Sequence, residues 1–374
     1  MTMPIYLDYA ATTPIDPAVV AAMTPWWSEH GNPHSPHRWG YRAAAAVGNA
    51  RGQVADLLGT APETVNFTGG ATESVNWALK GVATAGRRLV TVATEHSCVL
   101  ETARWLATQG RTLTVVGVGA DGLIDMDALD AALSGGDVGL VSAMLVNNET
   151  GVIQPIAEIA ARAHRAGALM HCDAAQGFGK LPKRIGDLGV DLLSLTAHKI
   201  YGPKGVGALY VRPGLALTPL LHGGGQEAGG RSGTLAPALC VGLGSAAAIA
   251  AERMAADAAH ACALWDRFLT RLAAPCTVNG SVTARWFGTM NLRIDGVDGA
   301  RLLASARGVA MSAGSACASG SGRPSHVLAA MGLTPAQAKA SLRLGWGRFT
   351  TPAEIDAAAA MIDTAVQTLQ QYAA

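Results

Sequence analysis

The sequence has little charge and few aromatic side chains. Asp, Glu, Lys and Arg make up 15% of its 374 residues, Phe, Trp and Tyr make up 5%, and the formal net charge is +1. Without a basic block, the chain has no electrostatic attraction to nucleic acid or to a membrane surface, so we predict neither as a partner. No apolar run approaches the roughly 20 residues that a membrane span needs. Residues 1–4 also lack the basic and apolar regions of a secretory signal.

Cysteine is scarce as well, and its spacing is irregular. No C-x-x-C pair occurs, so we predict neither a disulfide framework nor a metal site, and we expect a reducing cytoplasm. Most of these side chains should be small apolar groups of the core. The six cysteines are Cys98, Cys172, Cys240, Cys262, Cys276 and Cys317.

Apolar segments of strand length alternate with helical segments between residues 64 and 211. This alternation predicts an α/β fold whose mostly parallel sheet is covered on both faces. Residues 207–211 should run antiparallel, because only a turn joins them to the preceding strand. A long Ala-rich helical region follows over residues 235–272, and we expect breaks in it near Gly242 and Gly244.

The order of elements changes after this helical region, which predicts a second domain. Residues 1–14 are interpreted as an N-terminal segment that packs with the small domain. Residues 15–255 form the predicted large domain, and residues 256–374 the predicted smaller α+β domain.

Two apolar strands end in reactive side chains. Residues 190–195 run into Thr196 and then Lys199, and residues 168–172 run into Asp173. A lysine that forms a Schiff base, with an aspartate to hold a pyridinium nitrogen, is typical of pyridoxal phosphate (PLP) chemistry. Each residue also has a plainer interpretation, because a strand-end lysine is often a solvated charge and an aspartate often caps a helix.

A glycine-rich turn precedes one of the helices. Gly69 and Gly70 follow a strand, and Thr72 stands where the next helix opens. A helix N-terminus offers free N–H groups to an anion, so this turn together with Thr196 and His198 predicts a phosphate cradle. Taken alone, the turn is a weak signal, and Thr72 could simply cap the helix.

Further polar residues close neighbouring strands. His96 would lie over a PLP ring and move protons, although a hydrogen-bonded core histidine is the commoner case. Asn148 would lie near the same sheet edge, although amides at strand ends often only form turns. Gln176 would hydrogen-bond the ring oxygen of the cofactor.

Two residues of the C-terminal part are candidates for catalysis and substrate binding. Cys317 lies in a run of small residues, 312–324, which predicts a mobile, exposed thiol suited to nucleophilic attack. Without a cofactor site it would be interpreted as an inert surface cysteine. Arg343 interrupts an apolar strand, and its guanidinium would hold a carboxylate with two hydrogen bonds or form a structural ion pair.

Taken together, the motifs resemble the cysteine desulfurases, PLP enzymes of the class V aminotransferase group, in the subgroup with a long catalytic loop. The resemblance runs almost from end to end, and eight motifs follow one another in order. They are Leu7–Pro14, Gly70–Ser74, Thr94–His96, Asn147–Gly151, Asp173–Gln176, His198–Gly205, Arg231–Thr234 and Gly314–Cys317.

The resemblance implies fold type I of the PLP-dependent transferases, with a mostly parallel seven-stranded sheet in the large, cofactor-binding domain. It implies that Lys199 binds the cofactor covalently, that Asp173 pairs with the ring nitrogen and that His96 stacks on the ring. It also implies that Gln176 contacts the ring hydroxyl. The other implied cofactor-binding residues are Ala71, Thr72, Asn148, Thr196, His198 and Thr234.

Further implications concern the reaction and the partners. Asn148 and Arg343 would hold the carboxylate of L-cysteine, and Cys317 would take its sulfur as a persulfide while alanine is released. Thr234 would reach the cofactor phosphate of the other subunit of a homodimer. The sulfur would pass to an acceptor or scaffold protein, for iron–sulfur cluster assembly or another thiolation pathway.

Two alternatives to this function stay open at the level of the sequence. One is a selenocysteine lyase or another PLP enzyme of the class V group, and the other is a subunit for sulfur trafficking whose site is vestigial. Several positions depart from the family pattern. Ala228 stands where arginine is frequent, Thr196 where serine is common and Arg323 where an acidic residue is frequent.

Overall fold

The computed structural model describes residues 3–82, 87–313 and 325–371. The strands are β1 Ile5–Tyr6, β2 Val65–Thr68, β3 Arg88–Val92, β4 Leu113–Val116, β5 Val138–Met144, β6 Leu169–Asp173, β7 Leu192–Thr196, β8 Gly207–Val211, β9 Thr277–Val278, β10 Thr289–Arg293, β11 Val309–Ala310 and β12 Ser341–Gly345. The α-helices are α1 Pro17–Ser28, α2 Arg38–Leu58, α3 Ala71–Gly81, α4 Ser97–Thr108, α5 Met126–Leu133, α6 Ile156–Arg165, α7 Ile185–Leu188, α8 Pro237–Arg271, α9 Gly299–Ser305, α10 His326–Ala330, α11 Pro335–Lys339 and α12 Pro352–Gln371.

A seven-stranded sheet with the order β2-β8-β7-β6-β5-β3-β4 forms the centre of the structure. Strand β8 pairs antiparallel with both β2 and β7, and the other pairings in the sheet are parallel. All residues of β5 and β7 are buried, as expected for strands covered on both faces. The predicted α/β fold, the mostly parallel sheet and the antiparallel strand at residues 207–211 are confirmed.

The C-terminal part contains a smaller antiparallel sheet in the order β12-β10-β9. The short N-terminal strand β1 pairs in parallel with β11, so the start of the chain lies against this part. Strand β12 also approaches the N-terminal segment, because Asp8 forms a bridge with Gly345. These contacts bring residues from opposite ends of the sequence to the edge of the large sheet.

Helix α8 differs from its prediction, because it continues without a break through Gly242 and Gly244. Both glycines serve close packing. A Cβ atom on Gly242 would lie 2.6 Å from the sulfur of Met23, and one on Gly244 would lie 2.6 Å from Cα of Ala50. The glycines therefore let α8 approach α1 and α2 closely. Their lack of a side chain serves this helix–helix contact and does not mark the end of a helix.

Helix α8 is also long and apolar enough to cross a membrane by length and composition. It packs against α1, α2 and α12, and Leu243, Ala247 and Phe268 are fully buried in these contacts. It is therefore a core helix. One continuous apolar cluster includes these residues together with Leu195 of the large sheet and Leu342 of the small one. The predicted boundary at residues 255 and 256 falls inside α8 and stays a prediction.

Candidate active site

A cavity of about 900 Å³ opens where the parallel strands of the large sheet end. Ligands of open α/β sheets bind at this edge, because the strand ends and the loops that follow them converge there. Of the predicted site residues that the structure describes, all except Thr234 line this cavity. They are Ala71, Thr72, His96, Asn148, Asp173, Gln176, Thr196, His198, Lys199 and Arg343.

Lys199 lies in the short 3-10 turn Ala197–Lys199 that follows β7. Its Nζ donates to the carbonyl oxygens of Ala10, at 2.5 Å, and Ala11, at 2.7 Å. Ala10 and Ala11 thus hold the amine over the sheet edge. The sequence predicted Lys199, but it gave no site role to these two carbonyl groups, which lie nearly 190 positions away along the chain.

Asp173 ends β6 and is buried on the cavity side. Its Oδ1 accepts a hydrogen bond from the backbone N–H of Ala175 at 2.9 Å. The carboxyl group therefore stabilises a turn, whereas the plainer interpretation had it capping a helix. Burial raises the pKa of Asp173, because a carboxylate loses its hydration there. A cation brought next to this carboxylate would favour its charged form, as a protonated ring nitrogen would.

The N-terminal segment forms one wall of the cavity. Thr12 Oγ1 lies 3.2 Å from Nδ1 of His198, and Thr13 Oγ1 donates to the carbonyl oxygen of His198 at 3.0 Å. The backbone N–H of Tyr201 in turn donates to Thr13 Oγ1 at 2.8 Å. This network fixes the turn that carries Lys199, because both sides of the turn are hydrogen-bonded to one extended segment.

His96 precedes α4 and caps its first turn. The backbone N–H of Cys98 donates to Nδ1 of His96 at 3.2 Å. A backbone N–H can only donate, so Nδ1 is the acceptor and the imidazole carries its proton on Nε2. Burial lowers the pKa of His96, which keeps the ring neutral at pH 7. The side chain of Cys98 also lines the cavity, although the sequence grouped it with core cysteines.

An anion site is built where β2 meets α3. Gly70 has a φ of 147°, and the backbone then enters the helix at Ala71. Helix α3 is 11 residues long, so its first N–H groups and its dipole favour a negative charge. Thr72, Thr196 and Lys204 line the cavity together with this helix end. The group fits the predicted phosphate cradle, to which Lys204 is an addition.

His198 belongs to the same wall. Burial and the nearby charges of lysines, Lys199 first among them, lower the pKa of His198 to about 4. The imidazole is therefore neutral at pH 7, and it can donate a hydrogen bond to an anion only through a ring N–H. Its contribution to a phosphate cradle is a hydrogen bond rather than a full charge.

Arg343 and Asn148 bear polar atoms that lack a partner among the described residues. Arg343 is 2% exposed, and its Nη2 donates to Oδ1 of Asp8 at 2.8 Å. Its Nη1 donates to the carbonyl oxygen of Asn148 at 3.2 Å, but within residues 3–82, 87–313 and 325–371 neither its Nε nor Oδ1 of Asn148 has a hydrogen-bond partner. The ion pair that the sequence left open is present, and the Nε–H group is available to a ligand.

Thr234 lies on an exposed part of the loop that follows β8, outside this cavity. The loop is fastened to the large sheet by Glu227, whose carboxylate accepts two hydrogen bonds from Arg51, at 2.6 and 2.7 Å. The backbone N–H of Phe67 donates to the same carboxylate at 2.6 Å. Thr234 is thus held at the surface rather than at the site of its own chain.

Cys317, the predicted nucleophile, lies outside the described residues. The chain before it is held by hydrogen bonds between the backbones of Ser312 and Arg343. The chain after it is held where Ser325 Oγ donates to Oε2 of Glu149 at 2.5 Å. Ser312 is therefore bound to the cavity residue Arg343. Ser325 is bound to Glu149, the residue after Asn148, which also lines the cavity.

The groups that line the cavity fit PLP. A buried carboxyl group suits the ring nitrogen, a lysine amine suits the aldehyde, and a helix N-terminus suits the phosphate. Within the part of the chain that the structure describes, Nε of Arg343 and Oδ1 of Asn148 have no partner, so the cavity offers a donor and an acceptor that a ligand can satisfy. The donor matches a carboxylate and the acceptor matches an amine, and an amino acid carries both groups.

Comparisons with known proteins agree with this reading of the cavity. A family model described as "Aminotransferase class-V" matches residues 5–358. The chain belongs to the class-V aminotransferase family. The cysteine desulfurase IscS of Rickettsia massiliae (strain Mtu5) is 44% identical over 382 residues, which cover 99% of this chain and 93% of that protein.

Two further relatives extend the comparison. The mitochondrial cysteine desulfurase of Eremothecium gossypii is 47% identical over 380 residues, covering 99% of this chain and 77% of that protein. A NifS-like protein of solved structure is 34% identical, with a TM-score of 0.91 over 98% of this chain and 100% of its own. The family resemblance and the fold inferred from the sequence are confirmed by these matches.

Proposed function

We propose that this protein is a PLP-dependent cysteine desulfurase that converts L-cysteine and one enzyme thiol into L-alanine and an enzyme persulfide. The observation that carries the proposal is the convergence of Lys199, Asp173 and Arg343 on one cavity. They are a lysine nucleophile, a buried acid and a carboxylate-binding cation. The relatives named as cysteine desulfurases cover nearly the whole chain, which supports the same reaction.

The cofactor is held by residues of the large sheet. We assign Lys199 to its aldehyde, Asp173 to its ring nitrogen, Gln176 to its ring oxygen and the N-terminus of α3 to its phosphate. When bound, PLP draws electrons from the substrate carbon that it holds. Asp173 supports this by keeping its negative charge beside the ring, where the surroundings exclude water.

The substrate is oriented by Arg343 and Asn148. The unpaired Nε of Arg343 donates to the carboxylate of cysteine, and Asn148 accepts from its amine or from the cofactor. His96 lines the cavity as a neutral imidazole with its proton on Nε2, so it offers a hydrogen-bond donor to the cofactor or the substrate.

Cys317 is the proposed sulfur acceptor. Its thiol forms a sulfur–sulfur bond with the sulfur of cysteine as the carbon–sulfur bond breaks, and the carbon gains a proton to become the methyl group of alanine. Atoms and electrons balance without an added oxidant, because the carbon keeps both electrons of the cleaved carbon–sulfur bond and is reduced as the two sulfurs of the persulfide are oxidised. An acceptor or scaffold protein then takes the sulfur, for iron–sulfur cluster assembly or another thiolation pathway.

The active form is proposed to be a homodimer. Thr234 is exposed, and Trp27 and Tyr41 are 66% and 63% exposed although both are aromatic. A second copy would cover such aromatic residues, and it would bring Thr234 to the cofactor phosphate of its partner. The five described cysteines are all free, in keeping with a reducing cytoplasm as the proposed location.

Sulfide and alanine release from L-cysteine, in the presence of a thiol reductant, test the function directly. We expect both products from the wild-type protein together with a visible absorbance band of lysine-bound PLP. Cys317→Ala should abolish sulfide release and keep the band, whereas Cys276→Ala, a control at an exposed cysteine, should change neither. Sulfide release by Cys317→Ala at the wild-type rate would show that another group accepts the sulfur.

A further inference from the structure

Lys180 lies behind Gln176, one turn further along the chain after β6. Its Nζ donates to Oε1 of Gln176 at 3.0 Å. Nε2 of Gln176 donates to the carbonyl oxygen of Ala10 at 2.8 Å, and Lys199 donates to that same oxygen. Lys180 is thus linked to the cavity through Gln176, although it is not among the residues that line it.

The hydrogen bond from Lys180 decides which way the Gln176 amide faces. An ammonium group has donors only, so it selects the carbonyl oxygen of the amide and excludes its NH₂ group. Ala10 offers a carbonyl oxygen, an acceptor only, so it selects the NH₂ group. With Oε1 and one N–H occupied in this way, the second N–H of Gln176 remains to donate into the cavity, which Gln176 lines.

We propose that Lys180 is a positioning residue that holds the Gln176 amide as a hydrogen-bond donor to the ring oxygen of bound PLP. The proposal rests on the proposed function and extends it to a residue outside the cavity. Without Lys180, only Ala10 favours this orientation, so a larger fraction of the amide turns over and presents Oε1 to the ring oxygen. Two acceptors would then face each other, and the cofactor would bind more weakly.

The electrostatics of the position agree with this role. Burial and the charge of Lys199 lower the pKa of Lys180 to about 7. The neutral amine still has two N–H donors, so the contact with Gln176 survives the loss of the charge, but only the ammonium form excludes the NH₂ group of the amide. The other groups around it are the Trp286 ring, 6.0 Å from Nζ, and His198, whose own pKa Lys180 helps to lower.

Titration of the apoprotein with PLP, followed by visible absorbance, tests the proposal. We expect Lys180→Met to weaken PLP binding about tenfold, the effect of one lost hydrogen bond of this kind. The pH midpoint of the visible band should also move up, since a lost donor to the ring oxygen and a lost cation both favour the protonated chromophore. Lys180→Arg keeps a donor-only group and should restore affinity to within about twofold of wild type.

A double-mutant cycle shows whether Lys180 acts through Gln176. In a Gln176→Ala background, Lys180→Met should change PLP affinity less than about twofold, because no amide is left to orient. An equal effect in both backgrounds would overturn the proposal. Lys183→Met, at an exposed lysine of the same segment, is the matched control and should bind PLP as the wild type does.

The remaining outcomes separate this proposal from the proposed function. If wild-type protein gives no visible band with PLP, the proposed function fails, whatever Lys180 does. If it gives the band and folded Lys180→Met matches it in affinity and pH midpoint, only the role of Lys180 is wrong. Should Lys180→Met not fold, Lys180→Gln replaces it, since an amide can donate or accept and holds Gln176 less strictly. An affinity equal to wild type in that variant would also overturn the proposal.

Discussion

The two ends of the cavity differ in whether their polar atoms have hydrogen-bond partners within the protein. At the lysine end, formed by Ala10, Gln176, His198 and Lys199, the side chains hydrogen-bond to one another and to the N-terminal segment. At the arginine end, Nε of Arg343 and Oδ1 of Asn148 are buried and have no partner in the part of the chain that the structure describes. Each such atom costs about 1–3 kcal/mol in folding, so a ligand that supplies the partner recovers this free energy.

This difference indicates how the site divides its work. The lysine end is built in advance by contacts within the chain, as a permanently held group requires. The arginine end keeps unpaired atoms for a molecule that enters and leaves in every turnover. The comparison therefore assigns cofactor retention to one end and substrate binding to the other, and the following experiments test that separation.

Removal of the lysine amine should have the largest effect. We expect Lys199→Ala to lose the visible band and to lower desulfuration by about 10⁴-fold or more, because a covalent anchor and a nucleophile are lost together. Absorbance spectra and alanine release measure the two effects. Lys183→Ala, an exposed lysine, is the control. Retention of the band in Lys199→Ala would show that the cofactor is not bound at the lysine end.

Acid should weaken the sheet beneath the lysine end. His171 is fully buried between Ser142, at 2.8 Å, and Ser194, at 2.9 Å, and burial lowers its pKa from 6.5 to about 3. Unfolded protein therefore binds a proton at His171 below pH 6.5 that folded protein does not. The free energy of unfolding should fall as pH drops from 6.5 towards 3, by up to about 5 kcal/mol from this group.

Urea unfolding of the holoenzyme at pH 7, 6 and 5 checks this dependence. His171→Gln keeps hydrogen-bonding groups of similar size but has no proton to gain, so its stability should vary less over the same range. Equal slopes in the two proteins would mean that the imidazole is not held neutral in the fold.

Truncation at the arginine end should affect the substrate alone. We expect Arg343→Ala to lower kcat/KM for L-cysteine about 100-fold, mainly through KM, since the charged hydrogen bond from Nε to the carboxylate is lost. The visible band should persist. Steady-state kinetics and absorbance measure both, with Arg301→Ala at an exposed arginine as control. Loss of the cofactor in Arg343→Ala would break the separation of the two ends.

A smaller effect is expected where the N-terminal segment meets the lysine end. Thr12→Val removes the contact between the Thr12 hydroxyl and His198, and should lower the stability of the holoenzyme by about 1 kcal/mol. KM for cysteine should stay within about twofold. Thermal unfolding with parallel kinetics shows this, and Thr24→Val on the exposed side of α1 is the control. A rise in KM comparable to that of Arg343→Ala would show that the two ends are not independent.

Much of this site could be predicted from the sequence, because its residues follow strands. An apolar run that ends in Asp173, or in Thr196 and Lys199, identifies both the strand and the side chains at its end. Parallel strands bring those ends to one edge, so local pattern was enough to place them together. The same reasoning predicted the antiparallel strand β8 from the length of the turn before it.

The features that the sequence did not predict correctly depend on contacts between chain segments that are far apart in sequence. The prediction of breaks at Gly242 and Gly244 was wrong, because these glycines are there to let α1 and α2 pack closely against a continuous helix. Helix α7, strand β9 and the place of Cys98 in the cavity were also missed. Short elements and small side chains carry too little local signal, and tertiary packing determines them.

The sequence by itself determined the alternation of strands and helices in the large sheet, the reactive residues that end the strands and the family to which the chain belongs. Periodicity and motif spacing are local properties, so they can be recognised without knowledge of the tertiary contacts. Only the tertiary structure decided that Ala10 accepts from both Lys199 and Gln176, that Lys180 faces Gln176, and that Arg343 keeps an unpaired N–H. Hydrogen-bond partners far apart along the chain are chosen by how the segments pack, which no local pattern encodes.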